Sequence, residues 1–465
     1  MRRYTFAGFL LLLFCESFSQ DSIPLLKGKI NLSIREGTIE CDLVLSNIPR
    51  IEDYFIRINS GMNIRYFKNV DPAFPLYYDR SFHDTTSTGE TSAYYFPRNG
   101  GRDKYLPPAI HFRYAGKYPV FYDSLKDFSG DDWKGNISFN GYSLRTDGRQ
   151  SAWYPVLYDV KKDIKFDKVK YDIEINCPDC SSLYVNGSVP VAGSKGIFKS
   201  DTPYEIAMFC GHYKISNQEG VYFLNPDITD KQIKEFGQIT SEYKKYYAEK
   251  LSIPYNESVT YIQTTPTSES QAWLFVSWPT IVNIGRAEYG MKSFFDAKKG
   301  NWFKPFIAHE LGHYYFGTYR RFNSELGDMI NEGLSEYLSF KVTRKMISDS
   351  IYNKKIHEKI AAVQKFEAIP FGKIRSHADY QNRELYVYYY APILFSAIEK
   401  EIGEPTMWRW LKALLETKTV FTNYSFLEET LRSVLGDNNK FESIRAKYFY
   451  SNNAIENAAA IIGDK

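Results

Sequence analysis

His309-Glu310-Leu311-Gly312-His313, with Glu332 nineteen positions beyond the second histidine, decides how this chain is read. On a helix, residues four apart lie on one face, so the two imidazoles can share one metal ion while Glu310 stands beside its open position. Phe303, Phe306, Ile307, Leu311 and Tyr315 recur at helical spacing around the motif, which puts it on a partly buried helix rather than in a loop. A second helical pattern, from about Leu326 to Met346 with Ile330, Leu334, Tyr337 and Leu338 on one side, carries Glu332. Two packed helices therefore predict a site for Zn²⁺ at His309, His313 and Glu332, about one ion per chain. The competing readings are a surface match and a site that has lost its metal. With only seven histidines in 465 residues, two of them flanking a glutamate at this spacing and followed by a carboxylate make coincidence the weaker explanation.

The residues around Glu332 carry a resemblance. His309-Glu-x-x-His313, eighteen intervening residues and then Asn331-Glu332-Gly333-Leu334 resemble the M1 family of gluzincin metallopeptidases, the group of aminopeptidase N and leukotriene A4 hydrolase. Its pattern is HExxH-x18-E with Asn-Glu-Gly at the third ligand, whereas thermolysin-type endopeptidases usually place that glutamate one residue further on. Downstream, Tyr388-Tyr389-Tyr390-Ala391-Pro392 and an apolar run to Ile402-Gly403-Glu404 resemble the family segment in which a tyrosine opens a Tyr-Glu-Lys-Gly helix ending at Gly-Glu. In that register Tyr388 matches the catalytic tyrosine. Tyr390 and Ala391 stand where the family has Lys and Gly, so Tyr386, Tyr389 and Tyr390 stay open as alternatives. Trp153-Tyr-Pro155, followed by Asp159 and a new strand, also resembles the β domain that precedes the catalytic domain in this family.

One family element has no counterpart. A Gly-x-Met-Glu-Asn strand, whose glutamate binds the free amine of the substrate, is not found in the stretch from Trp273 to Tyr289. Glu269 and Glu288 are the nearest carboxylates for that role, with a solvated position the ordinary alternative for both. The resemblance thus implies peptide hydrolysis more directly than it implies an aminopeptidase.

The chemistry follows from the residue types. Three protein ligands leave a fourth position for water, whose pKa the metal lowers toward ~7. Glu310 is the expected general base, and a hydroxyl such as that of Tyr388 the expected donor to the carbonyl oxygen as it becomes anionic. A ligand imidazole normally gives its other N–H to an acceptor; Glu336, one helical turn after Glu332, is placed for His309, the alternative being a solvated helix face. His83, His111, His212, His357 and His377 lack ligand spacing and read as surface or structural.

Composition bounds the rest. Hydrophobic residues make up 43% and charged residues 24%, an ordinary balance for globular protein, and the length suits two to three domains. A net charge of +3 with interspersed signs gives no argument for nucleic acid, so the expected partner is a peptide or protein substrate, with the oligomeric state left open. Residues 1–19 read as a secretory signal, with two arginines, an apolar run from Phe6 to Phe14 and Ser17-Phe18-Ser19 before Gln20. A lipoprotein reading at Cys15 is disfavoured by the bulky Phe14 beside it. No later stretch approaches eighteen uninterrupted apolar residues, so no membrane span is expected, and the mature chain is read as secreted or periplasmic. Four cysteines then remain, Cys41, Cys177, Cys180 and Cys210; Cys177-Pro-Asp-Cys180 reads as a local disulfide or two inert thiols.

The predicted architecture is α+β and multidomain. Residues 20–224 alternate short apolar and polar runs with Asn-Gly and Asp-Gly turns, which predicts an antiparallel β domain. Around Asn225-Pro226-Asp227 the period becomes helical, and 225–465 read as a thermolysin-like α/β zinc catalytic domain. In it are predicted a strand at Val259 to Gln263, irregular sequence to Gly290, and helices at Tyr386 to Glu401, Thr406 to Glu416 and Phe426 to Leu435. The chain ends where many M1 enzymes begin a large helical domain over the cleft, so a more open cleft is expected. Three functions fit: a secreted zinc peptidase of the M1 aminopeptidase type, an endopeptidase, and a non-catalytic peptide-binding protein on the same fold.

Overall fold

Period-two burial builds the first half of the molecule. In Thr38–Ser46 the side chains of Ile39, Cys41, Leu43 and Leu45 are buried and their neighbours are not, and Lys168–Asn176 repeats the pattern with Val169, Tyr171, Ile173 and Ile175. Such strands must cover one face. A seven-stranded sheet runs in the order Lys195–Glu205, Lys168–Asn176, Leu25–Ser33, Thr38–Ser46, Ile110–Lys117, Met62–Asn69, Phe74–Leu76. Its apolar face shares one core with residues of two five-stranded sheets. Trp153 belongs to that core, fully buried, with its indole N–H donating to the Ile206 carbonyl at 2.7 Å and its own carbonyl accepting from the Tyr114 hydroxyl at 2.8 Å. The large aromatics are thereby buried without stranding their polar atoms.

The computed structural model describes residues 23–82, 91–99, 101–103, 105–120, 137–146, 151–162, 164–264, 273–284, 290–419 and 421–463. The leader read at 1–19, His83, Glu269 and Glu288 lie outside them. One departure from a purely antiparallel first half is the parallel pairing of Leu25–Ser33 with Lys168–Asn176. More than a hundred residues separate the two strands, so no hairpin dictates their direction. Cys177 and Cys180 form a disulfide, while Cys41 and Cys210 are buried free thiols; burial pushes the Cys210 thiol up to about 12.

The second half is built on a mixed sheet in the order Ile215–Gln218, Val221–Leu224, Val259–Thr264, Thr280–Ile284, Trp273–Ser277. Its inner pairs, Val221–Leu224 with Val259–Thr264 and the latter with Thr280–Ile284, are parallel. Two of its strands precede residue 225, so this sheet crosses the position where the sequence turns helical. Helix α1 (Asp230–Leu251) makes the crossover between the first parallel pair. Thr229 caps it with a reciprocal box to Gln232, and Ile233, Phe236, Tyr243, Tyr247 and Leu251 form its buried face. The stretch before Gly290, expected to be irregular, contains the hairpin Trp273–Ser277 and Thr280–Ile284. Tertiary contacts hold its turn: the Asn186 side-chain amide donates to Ser277 Oγ at 3.1 Å and to the Trp278 carbonyl at 3.0 Å, and Tyr184 meets Thr280 Oγ1 at 2.6 Å.

Helices α2 (Gly300–Gly312), α3 (Gly327–Val342) and α4 (Asp349–Val363) follow, then a wide π-type turn at Tyr386–Tyr390 that runs into the helix Ala391–Ile402. Phe303, Ile307, Leu311, Tyr315, Ile330, Leu334, Tyr337 and Leu338 share the core of this half. Among the described residues no helix is long and apolar enough to cross a membrane.

Candidate metal centre

Helices α2 and α3 can bring the motif and Glu332 together only by approaching closely, and small residues permit it. A Cβ at Gly312 would stand 3.1 Å from Ser335 Cα, and one at Gly333 would stand 2.9 Å from Ala391 Cβ. Glycine at the first position lets α3 lie against the motif; at the second it lets Ala391–Ile402 lie against α3.

At that crossing Glu332 Oε2 lies 3.4 Å from His309 Nε2 and 3.3 Å from His313 Nε2. The oxygen is buried and has no well-directed hydrogen bond, an arrangement a native interior avoids unless something else sits there. Four-coordinate zinc with ligands at about 2.0–2.1 Å has ligand–ligand edges of about 3.3–3.4 Å, the spacing these atoms show. Two imidazole nitrogens and one carboxylate oxygen are donor types suited to the borderline-soft Zn²⁺ ion. The electrostatics agree. Burial works against a charged His309, yet Glu332 and Glu336 raise its pKa to about 10. Burial likewise opposes the Glu332 carboxylate, and the two imidazoles still hold it well below the usual range. Donors that attract a proton so strongly would equally attract a metal cation at the point where they converge.

The other nitrogen of each imidazole is engaged. His309 Nδ1 lies 2.9 Å from Glu336 Oε2, and Ser339 Oγ donates to the same oxygen at 3.2 Å. His313 Nδ1 lies 3.2 Å from Ser335 Oγ and 3.4 Å from the Phe316 carbonyl. With the Nδ1 atoms so occupied, both Nε2 lone pairs face Glu332. Glu310 is buried beside the cluster, its Oε2 3.9 Å from His313 Nε2, and burial raises its carboxyl above the ordinary range.

Of the four tyrosines considered, Tyr388 is the one whose ring faces the centre, 5.9 Å between centroids from His309. Burial, with Glu332 next, raises its phenol and keeps it protonated. Tyr386 donates to the Ile369 carbonyl at 2.7 Å, Tyr390 packs against Phe366 and Phe371, and Tyr389 lies under the Lys359 ammonium. His111, His212, His357 and His377 pair elsewhere, with Asp42, Ser181, the Asn353 carbonyl and the Tyr380 ring.

Three cations at the site were not anticipated. Arg383 grips Asp328 through two hydrogen bonds of 2.6 and 2.7 Å, reaches Glu332 Oε1 at 3.4 Å and lies over the Tyr388 ring. Lys355 and Lys359 contact Glu336 Oε1 at 3.3 and 2.9 Å, and they hold that buried carboxyl well below its usual range against the cost of burial. The signal was present in the sequence: Asp328, Glu332 and Glu336 recur every four residues, so α3 presents three carboxylates on one face, and buried carboxylates call for cations.

No protein-family model matches the chain, and no curated protein matches its sequence. Solved structures do match its fold. The M1 zinc metallopeptidase from Deinococcus radiodurans superposes with a TM-score of 0.59 at 12% identity, covering 93% of this chain and 94% of that one. A mutant of that protein bound to a Tyr-Ser-Ala substrate gives a TM-score of 0.59 at 12% identity over 91% of this chain and 93% of that one. Yeast LTA4 hydrolase in complex with bestatin gives 0.61 at 12% identity, over 92% of this chain and 67% of that one. At such identities the likeness is one of fold, a mixed α+β arrangement shared with these proteins.

Proposed function

We propose that this protein is a zinc-dependent peptidase of the M1 type, hydrolysing peptide bonds with water activated at His309, His313 and Glu332. The observation that carries the reading is the triangle of two imidazole nitrogens and an orphaned carboxylate oxygen, with a buried carboxylate beside it. Fold neighbours that include an M1 zinc metallopeptidase support it.

Zinc bound by these three side chains would supply a Lewis acid and would lower the pKa of water toward neutrality. Glu310, a buried carboxylate beside both histidines and not among the three proposed ligands, takes the proton from the attacking water and passes it to the leaving amine. The Tyr388 phenol donates to the carbonyl oxygen as that atom becomes anionic. Glu336 holds His309 in the tautomer that leaves Nε2 free. No covalent intermediate with the chain is needed. Export through the leader at 1–19 belongs to the same proposal.

An aminopeptidase must recognise a free amine, and the strand motif that does so in the family is lacking here. That observation favours a second reading, an endopeptidase with the same chemistry. One peptide panel, assayed with free and acetylated N-termini on zinc-analysed protein, separates them. The expected result is cleavage of both forms, with a weaker preference for the free amine than an exopeptidase shows. Abolition by acetylation, together with a raised KM in Glu269→Ala or Glu288→Ala, would rule out the endopeptidase reading and assign the amine contact. No cleavage of either form by zinc-loaded protein would leave a peptide-binding protein.

A further inference from the structure

Lys359 makes contacts that the peptidase chemistry does not require. It lies on α4 with only 12% of its side chain exposed, and its ammonium donates to Glu336 Oε1 at 2.9 Å and to the Tyr388 carbonyl at 2.7 Å. The same group lies 4.2 Å from the centroid of the Tyr389 ring. Glu336 divides its two oxygens: Oε2 faces His309 Nδ1 and Ser339, and Oε1 faces Lys359 and Lys355. One ammonium therefore joins the carboxylate that orients a metal ligand to the backbone of the tyrosine whose ring faces that ligand. Helices α3 and α4 and the π-type turn meet at this nitrogen, and α2 is joined to them through the bond of His309 to Glu336.

We infer that Lys359 is a positioning residue that sets the His309 imidazole and the Tyr388 side chain in register with each other, an inference that rests on the function proposed above. Three features carry it. A buried ammonium requires partners, and both of its hydrogen-bond acceptors belong to the site's framework. A carboxylate with one oxygen held cannot rotate, so the oxygen offered to His309 stays in place. The Tyr388 carbonyl lies in the π-type turn, where the regular helical bond pattern is interrupted and an outside donor fixes the backbone. Lys355, one turn earlier on α4 and 3.3 Å from the same carboxylate oxygen, supports Glu336 but makes no bond to Tyr388 among those observed.

The test uses zinc-loaded full-length protein and four variants: Lys359→Met, Lys359→Arg, Tyr388→Phe and the double variant Lys359→Met with Tyr388→Phe. Zinc affinity is measured by competition with a chelator, and kcat and KM on one peptide. Lys359→Met keeps the apolar stem and should weaken zinc binding about tenfold, the low end for groups that support a ligand. It should also lower kcat about tenfold with KM within twofold, and that kcat loss should shrink toward nothing in the Tyr388→Phe background, since coupled residues are not additive. Lys359→Arg, which retains a cation with donors for both acceptors, should stay within about threefold of wild type in both measurements.

Lys359→Met with wild-type zinc affinity and kcat would overturn the inference while leaving the peptidase reading intact. So would a kcat loss equally large with and without the Tyr388 hydroxyl. Should Lys359→Met fail to fold, Lys359→Gln takes its place: a neutral, shorter group should lose zinc affinity and kcat as described, and retention of both would overturn the proposal. Wild-type protein that binds no zinc would bring down the functional reading and this inference together.

Discussion

Glu310→Gln should lower peptide hydrolysis by about 10²- to 10⁴-fold, the usual contribution of a positioned general base, or about 3–5 kcal/mol in the barrier. The replacement keeps the size and shape of a buried side chain, so it creates no cavity. It also leaves His309, His313 and Glu332 in place, and zinc content and thermal stability should remain near wild type. What changes is proton acceptance, because an amide cannot take a proton from the attacking water. Burial raises the Glu310 carboxyl above its ordinary range, in the direction that suits a base working near neutrality. A variant that cleaves peptides at the parental rate would move the activity to other residues or to a contaminant.

The second large effect is expected at the metal ligands. Replacing His309, His313 or Glu332 with alanine should remove most of the bound zinc and with it essentially all hydrolysis. Each supplies one corner of the donor triangle; Glu310, whose carboxylate lies within 4.8 Å of ligand atoms of both histidines, could not replace a ligand and still serve as the base, and Glu336 has its oxygens committed to His309, Ser339 and two lysines. Glu332→Ala should differ from the histidine variants in one respect. Asp328 keeps its paired hydrogen bonds to Arg383, so the neighbouring turn of α3 should stay ordered while metal is lost. Zinc retained at wild-type affinity by Glu332→Ala would move the third ligand elsewhere.

The meeting of His309, His313 and Glu332 is legible in spacing, because four residues return a helix to the same face and an apolar pattern marks both helices as packed. The same logic places Glu336 above His309. The tyrosine needed the fold: four candidates lie within five residues, and only the wide turn at Tyr386–Tyr390 decides which ring faces the histidines. Helix α4 escaped the sequence reading altogether. Only Ile356 and Val363 of its fifteen residues are buried, so it carries almost no apolar stripe, and nothing in its local pattern sets Lys355 and Lys359 apart from surface charges. They are instead the counterions of a buried carboxylate, which depends on contacts no local period encodes. Arg383 was obscured in the same way, by a partner 55 positions earlier in the chain. The hairpin before Gly290 was missed because its register is set by pairing with Val259–Thr264 and by the grip of Asn186 and Tyr184, both from the first half of the chain.

The central claim is that one zinc ion at this crossing of α2 and α3 performs the hydrolysis. The most direct measurement titrates metal-free wild-type protein with zinc while bound metal and peptide cleavage are followed on the same sample. Cleavage should be absent at the start, rise in proportion to bound zinc and level off at about one ion per chain. Full-rate cleavage by folded protein stripped of stoichiometric metal, or saturation with zinc and no cleavage of any peptide in the panel, would contradict the account.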